Sequence, residues 1–400
     1  MAKKRFRDKT YRQQLASGPM DLPFLMLVLL LTGIGLITVF SASFASAYYE
    51  NGDPSLYFRS QLRMAVGGIL IMWLASRVDY QLLRKLAKWG LIISVVLLLL
   101  VKVPGIGVTR NGANRWVRLL GIQFQPSEVA KVGVIIFFAA KLSARQSEKK
   151  RKWNPKMLLG RALNFLEKIG FMELVPYMAV LLLMSVLLLI EPHMSGAILI
   201  LVGGAAVLFA GGIHWGWFAA GGAVLVPAFW FIMNHTDYMA KRLAIQQNPW
   251  SDPRGDGFQT IQSLYAIGSG GLLGKGFGKS MQKVLYLPEE HNDFIFSIWC
   301  EEMGFIGALV VIILFVLLIL RGYWLALHAR DKFGALLIVG IITLMAAQVF
   351  LNIGVVTNFI PPTGISLPFF SYGGTALMIQ LGEMGIVLSV SRQIEAPRLG

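Results

Sequence analysis

Residues 294–320, with the sequence FIFSIWCEEMGFIGALVVIILFVLLIL, form the apolar stretch that decides the fold. A helix needs about 20 apolar residues to cross the hydrocarbon core of a bilayer, and this stretch is longer than that. Its only charged residues are Glu301 and Glu302. At least one of them should face protein rather than lipid, because an ionised group in lipid is costly. We therefore expect this stretch to be a membrane-spanning helix.

Ten apolar stretches of this kind occupy most of the chain. The chain is 56% hydrophobic and 14% charged, whereas soluble domains are about one quarter charged. Each stretch is predicted to be an α-helix, because lipid offers the backbone no hydrogen-bond partner. The predicted spans are residues 22–46, 57–76, 86–103, 127–142, 174–190, 194–212, 215–233, 294–320, 333–357 and 367–390. The predicted fold is an all-α polytopic membrane protein with one transmembrane domain over residues 1–400.

Lysine and arginine residues set the predicted orientation. They are concentrated in the N-terminal arm, residues 1–21, and in residues 145–168 between the fourth and fifth spans. Because such residues favour the cytoplasmic side, we expect both termini to be cytoplasmic. The longest break between spans, residues 234–293, then becomes a large extracytoplasmic loop between helices 7 and 8. This pattern explains the net charge of +16 without nucleic-acid binding.

Two groups of charged residues lie around the fourth span. Arg115 falls on the predicted outer side, against the general pattern. Guanidinium groups match phosphate oxygens, so Arg115 is either a pyrophosphate ligand or a solvated loop residue. Glu128 and Lys131 are about one helical turn apart and share a face. They form either a structural ion pair or part of a polar cavity that receives a charged headgroup.

An acidic cluster with a histidine opens directly onto the eighth span. The cluster contains Glu289, Glu290, His291 and Asp293. A carboxylate at the mouth of an apolar helix is partly desolvated, which suits a general base. Asp293 is therefore either such a base or the N-cap of the helix, where Asp is also favoured.

Three further features limit the kinds of site that the chain can contain. The glycine-rich residues 268–278 fit tight turns better than a phosphate loop, because Leu273 stands where that motif requires glycine. The turn Glu191-Pro192-His193 is either a functional polar pair at membrane depth or a solvated outer turn. The histidines lack the spacing of a metal site, and the single cysteine, Cys300, excludes an internal disulfide.

The motifs together resemble the SEDS family (shape, elongation, division and sporulation) of bacterial peptidoglycan glycosyltransferases. The resemblance covers nearly the whole chain. The residues that carry it are 112–116 with 125–128, 259–278 with 287–289 and 293–294, and 352–354 leading to 361, 364, 367–368 and 371–374. Residues 248–253 and 262–266 resemble the division and sporulation branch (FtsW-like) more than the elongation branch (RodA-like). The family often has Gln-Pro-Asp where this chain has Glu191-Pro192-His193.

The resemblance implies an inverting enzyme that polymerises lipid II at the outer face of the bacterial cytoplasmic membrane, for septal or spore cell-wall synthesis. It aligns the family's essential carboxylate with Asp293, and the candidate catalytic residues are Asp293, His291 and Glu290. The candidate substrate-binding residues are Arg115, Glu128, Lys131, Gln262, Ser263, Lys275 and Ser371. The implied partners are lipid II, a class B penicillin-binding protein transpeptidase, and other divisome or sporulation proteins. A divalent cation, Mg²⁺ or Mn²⁺, is a candidate cofactor that would neutralise the leaving pyrophosphate.

Two other functions stay open from the sequence. One is a flippase that carries lipid II across the membrane, and the other is a non-catalytic scaffold for the transpeptidase. A flippase needs polar groups across the depth of the membrane, and Glu128, Lys131, Glu301 and Glu383 would serve such a path. A polymerase needs them gathered at the outer face, where Asp293 is predicted.

Overall fold

The computed structural model describes residues 18–110, 113–119, 121–144, 170–191, 193–235, 237–284, 287 and 291–394. These residues form helices and one small sheet. The helices are α1 (Leu22–Asn51), α2 (Leu56–Arg77), α3 (Gln81–Leu100), α4 (Pro126–Ser143), α5 (Phe171–Ile190), α6 (Met194–Ala210), α7 (Trp215–His235), α8 (Asp237–Gln247), α9 (Phe258–Gly270), α10 (Ile295–Leu327), α11 (Lys332–Val356) and α12 (Thr375–Ser391). The strands are β1 (Gly107–Arg110), β2 (Ala113–Leu119) and β3 (Ile122–Phe124), and a 3₁₀ turn covers Pro249–Ser251.

The helices have the character of a multi-pass membrane protein. Four of those described, α1, α5, α10 and α11, are long and apolar enough to cross a membrane, and α6 and α12 are shorter apolar helices. Each of the ten predicted spans falls on one of the helices α1–α7 and α10–α12. The polytopic helical fold is thus confirmed, and the count of ten crossings stays a prediction.

The chain divides into two compact units. The first comprises Met1–Asp79, Val224–His328 and Leu344–Gly400, and the second comprises Tyr80–Ala223 and Ala329–Thr343. In the first unit, α2 packs along α12, and α10 packs against α1 and α9. In the second unit, α4 packs against α3 and α6, and β2 contacts α4.

The small sheet in the second unit was not predicted from the apolar pattern. Its strands are antiparallel in the order β1-β2-β3, with Val117 of β2 paired to Phe124 and fully buried. The sequence Asn111-Gly112 between β1 and β2 is a strong hairpin signal that lies outside the apolar stretches. The sheet matters because Arg115 lies on β2 and α4 follows β3 almost at once.

Helix α10 is broken at Gly304. This residue has φ 66° and ψ −169°, a backbone conformation that only glycine adopts easily. The apolar sequence continues on both sides of the break, which is why the sequence predicted one uninterrupted span. Four glycines of the preceding segment, Gly271, Gly274, Gly276 and Gly278, also have positive φ. The tight turns predicted over residues 268–278 are confirmed from Gly271 onward, whereas residues 268–270 belong to the end of α9.

Candidate active site

Asp293 lies at the entrance to α10 in the first unit. The N-cap of this helix is Phe294, and no side-chain hydrogen bond caps it. The alternative that Asp293 is the N-cap is therefore wrong, because the chain enters the helix one residue later. Asp293 is half-buried at this entrance.

Two neighbours fix the position of Asp293. The side-chain amide of Asn352, on α11, donates to the carbonyl oxygen of Asp293 at 2.8 Å and to that of Ile365 at 2.7 Å. Gly364 lies beside the carboxylate, since a Cβ atom there would come within 3.4 Å of Oδ2 of Asp293. Gly364 also has φ +70°, so it combines close approach with a turn conformation. The backbone around Asp293 is thus held by residues far along the chain.

His291 is held in an aromatic setting in the same unit. Its ring centroid lies 4.6 Å from that of Tyr57 and 5.5 Å from that of Tyr372. Its carbonyl oxygen accepts a hydrogen bond from the backbone nitrogen of Tyr372 at 2.8 Å. The ring orientation is thus set by α2 and by the turn before α12. Glu290, the third candidate catalytic residue, lies outside the described residues.

Gln61 on α2 supports that turn and was missed by the sequence analysis. Its side-chain nitrogen donates to the carbonyl oxygen of Ser371 at 3.1 Å, and its side-chain oxygen accepts from the backbone nitrogen of Gly374 at 3.2 Å. Gln61 is buried. The sequence gives no clear signal for Gln61, because it lies among the polar residues Arg59, Ser60 and Arg63 at the start of α2, and only its burial shows that it requires partners.

Two serines predicted to bind substrate form hydrogen bonds within the protein instead. The Ser263 hydroxyl lies 2.6 Å from that of Ser297 and donates to the carbonyl oxygen of Val356 at 2.7 Å. The Ser371 hydroxyl accepts from the backbone nitrogen of Leu367 at 2.7 Å. Both side chains are buried, so the geometry gives them structural roles.

The other two first-unit candidates remain accessible. Gln262 is partly exposed on α9. The Lys275 ammonium forms an ion pair with Glu301 at 2.6 Å, and 34% of its side chain is exposed. Glu301 and Glu302 are both buried, as was expected for at least one of them.

The second unit brings Glu128 and Lys131 into contact. Nζ of Lys131 lies 2.9 Å from Oε1 and 2.8 Å from Oε2 of Glu128, within the first two turns of α4. Both residues are buried. The predicted ion pair is present, and an acidic residue in the first turn also interacts well with the helix dipole.

The turn between α5 and α6 adds Glu191 and His193 to this polar region. Burial raises the pKa of Glu191 to about 8, although the positive charges of Lys102 and Arg115 oppose that shift. Burial, together with the positive charges of Arg115 and Lys131, lowers the pKa of His193 to about 3. Both side chains are therefore largely neutral at pH 7. The solvated-turn alternative is wrong for these two residues, because they are only 2% and 7% exposed.

This polar cluster of the second unit consists of Lys102, Arg115, Glu128, Lys131, Glu191 and His193. At neutral pH it contains three cations against one ionised carboxylate, since Glu191 and His193 are held neutral. Such an excess of positive charge suits an anionic ligand that brings phosphate oxygens. Among the described residues, no group of three or more His, Cys, Asp or Glu side chains could hold a metal ion.

Known proteins similar to this chain cover nearly its whole length. Residues 21–396 match the cell cycle protein family FtsW/RodA/SpoVE. Stage V sporulation protein E of Bacillus subtilis is 40% identical over 93% of this chain and 97% of its own length. The probable peptidoglycan glycosyltransferase FtsW of Geobacter metallireducens is 38% identical over 94% of this chain and 95% of its own length.

Solved structures share the fold. A chain of a peptidoglycan synthase complex, studied for the structural coordination of polymerization and crosslinking, has a TM-score of 0.71 and 31% identity, covering 93% of this chain and 98% of its own. The rod shape determining protein RodA of Thermus thermophilus has a TM-score of 0.65 and 29% identity, covering 94% of this chain and 98% of its own.

Proposed function

Because the chain belongs to the FtsW/RodA/SpoVE family of cell cycle proteins, we propose that it polymerises lipid II into glycan strands at the outer face of the bacterial cytoplasmic membrane. The protein is a peptidoglycan glycosyltransferase, the activity that its FtsW relatives are named for. The two relatives reported above are an FtsW and a sporulation protein, which agrees with the division and sporulation branch.

The observation that carries the mechanism is the placement of Asp293. Its half-buried carboxylate stands beside Gly364, and its own backbone is pinned by Asn352. In the proposed reaction, this carboxylate takes the proton from the 4-hydroxyl of the acceptor sugar. The hydroxyl oxygen forms a bond to the anomeric carbon of the growing chain as the bond from that carbon to the pyrophosphate oxygen breaks. One displacement of this kind inverts the α linkage of the donor to β.

The leaving group is undecaprenyl pyrophosphate, which requires positive charge. The polar cluster of the second unit contains Arg115 and Lys131, and a guanidinium can donate two hydrogen bonds to phosphate oxygens. The neutral forms of Glu191 and His193 support this role, because an ionised Glu191 would cancel part of that charge. A divalent cation stays a candidate cofactor. Arg115 and Lys131 are proposed as pyrophosphate ligands on the family resemblance and on the charge of their own cluster, and no step passes through a metal.

The proposed setting follows the family. A class B penicillin-binding protein transpeptidase is the proposed partner, since a similar chain forms part of a peptidoglycan synthase complex. Other divisome or sporulation proteins are further proposed partners, and the protein is proposed to act in the lipid membrane. Both termini are proposed to be cytoplasmic, with residues 234–293 outside.

The internal charges do not favour a flippase. The buried Glu301 carboxylate pairs with Lys275 and accepts three further hydrogen bonds from residues 280–282. A carboxylate whose acceptor oxygens are already used inside the protein is poorly suited to line a path for a moving pyrophosphate. Polymerisation is therefore the function that the geometry supports best.

Polymerisation of lipid II by the purified protein, alone and with its transpeptidase, tests this function. We expect glycan strands in at least the second condition. A wild-type protein that makes no strands in either condition would contradict the enzyme function and favour a scaffold.

A further inference from the structure

The break in α10 at Gly304 is filled by residues 271–276 of the preceding segment. In an uninterrupted helix, the amides of Phe305 and Ile306 would donate to the carbonyls of Glu301 and Glu302. Here those two amides donate to the carbonyls of residues 271 and 272, at 2.9 and 3.2 Å. The carbonyls of Glu301 and Glu302 accept instead from the backbone nitrogens of residues 275 and 276, both at 3.0 Å. These two helix bonds are thus replaced by backbone hydrogen bonds with this segment.

Side chains fasten the same segment to the helix. The Glu301 carboxylate accepts from Lys275 at 2.6 Å, from the backbone nitrogens of Met281 and Gln282 at 3.2 and 3.3 Å, and from the Ser280 hydroxyl. We call residues 271–283 the clamp segment. With this many donors, the buried charge of Glu301 is fully compensated, and loss of one donor leaves part of it unpaired.

A second buried ion pair anchors the far end of the clamp segment. Nζ of Lys283 lies 2.9 Å from Oε1 of Glu302, and the Ser41 hydroxyl of α1 donates to the same carboxylate at 2.6 Å. The backbone of the clamp segment also lies close to the backbone of α10. A Cβ atom at Gly274 would lie 2.1 Å from the carbonyl oxygen of Glu302, so no other residue fits there without a shift.

The half-helix that the clamp segment holds begins next to Asp293. Only residues 295–303 lie between the entrance of α10 and the break at Gly304. A short half-helix is a stiff unit, so its far end fixes the direction in which its near end points. Small misplacements of a reacting group reduce rate strongly.

We propose that Lys275 and Glu301 are positioning residues for Asp293, which hold the clamp segment in the break of α10 and thereby fix the half-helix that Asp293 precedes. This inference rests on the proposed function, with Asp293 as the base. It differs from the expectation that Lys275 binds substrate, because Lys275 acts here through Glu301.

Lys279 provides a matched control in the same segment. It is an exposed lysine four residues further on, and it makes no ion pair with another described residue. If the lysines of this segment act on lipid phosphates through their charge, Lys275 and Lys279 should behave alike. If Lys275 acts through Glu301, only substitution of Lys275 should lower kcat.

The test is steady-state polymerisation of lipid II by the full-length protein with its transpeptidase. We expect Lys275→Met to lower kcat by about 10- to 100-fold with KM within about twofold. Lys275→Arg should retain most of the wild-type kcat. Lys279→Met should leave kcat and KM unchanged. In a double-mutant cycle, Lys275→Met should add little to Glu301→Gln, because both remove the same contact.

Three results would overturn the proposal. One is a raised KM with unchanged kcat for Lys275→Met, which would mean direct substrate binding. Another is equal effects of Lys275→Met and Lys279→Met. The third is a lower melting temperature with unchanged kcat for the folded protein, which would mean a purely structural contact.

Hydrogen exchange separates failure of this inference from failure of the proposed function. Backbone amides of residues 295–303 should exchange faster in Lys275→Met than in the wild type, whereas those of α12 should not change. If residues 295–303 exchange at the same rate in Lys275→Met and wild type, the role proposed for the clamp segment is wrong, whatever the polymerisation rate of the variant. An inactive wild type with the exchange difference present overturns the proposed function and leaves the clamp standing.

Discussion

Asn352 donates a hydrogen bond to the carbonyl oxygen of Asp293 at 2.8 Å, across 59 residues of sequence. The same amide nitrogen donates to the carbonyl oxygen of Ile365, and Asn352 is 0% exposed. One buried side chain therefore ties the entrance of α10 to α11 and to the segment that contains Gly364. The family resemblance includes Asn352, but its role follows only from this contact.

Removing that amide should weaken both stability and catalysis. Asn352→Leu leaves two carbonyl oxygens without this donor, of which that of Ile365 is in a buried hydrogen bond, and this costs about 1–3 kcal/mol of unfolding free energy. We expect a lower melting temperature and a lower kcat. Gln348→Leu, one turn earlier on α11, is the control and should leave kcat unchanged. Equal kcat in Asn352→Leu and wild type would contradict a role in placing Asp293.

The Glu128–Lys131 ion pair makes a stability prediction. Because both residues are buried, Glu128→Gln or Lys131→Met alone should cost roughly 3–5 kcal/mol through the charge left behind. The double variant should recover part of that loss. Thermal unfolding of the three variants measures this. Unchanged stability with lost polymerisation would mean that the two residues serve substrate rather than the fold.

Glu191 should make stability fall as pH rises. Its pKa is raised to about 8 in the folded protein, so the folded state favours the protonated acid and loses that advantage as pH rises from 4.5 towards 8. Comparison with Glu191→Gln between pH 6.5 and 8 isolates this effect, because the contribution of His193 is present in both proteins. Relative to Glu191→Gln, the wild type should lose stability there at up to about 1.4 kcal/mol per pH unit, with the slope falling to about half of that as the pH reaches 8. Parallel pH profiles of the two proteins would show that Glu191 is ionised in the fold.

Cysteine labelling tests the proposed orientation. Lys150, which lies outside the described residues, should be cytoplasmic, and Lys279 should be outside. Lys150→Cys and Lys279→Cys are each placed in a Cys300→Ser background and treated in intact cells with an impermeant maleimide. Only Lys279→Cys should be labelled. The reverse pattern would overturn the assigned orientation.

The helices and the Glu128–Lys131 pair were predictable from the sequence, because both depend on local signals. Apolar length fixes a membrane helix, and spacing fixes which residues share a face. Each predicted span therefore lies on an observed helix. The small sheet was missed because its strands lie in a short loop whose apolar residues are few.

The supports of the site were not predictable in the same way, since they join residues distant in sequence. Ser41 and Glu302 are separated by 261 residues, and Gln61 and Ser371 by 310. A single sequence contains no signal for such pairs. The break at Gly304 was hidden for a related reason, because the residues that fill it lie in another segment.

The most direct test of the central claim is lipid II polymerisation by the purified Asp293→Asn variant. Asparagine has nearly the same shape but cannot accept the proton, so we expect normal expression and transpeptidase binding with polymerisation reduced by roughly 10²–10⁴-fold. Asp256→Asn, an exposed aspartate of the same unit, is the matched control and should polymerise at the wild-type rate. A near wild-type rate in Asp293→Asn would contradict the assignment of Asp293 as the base.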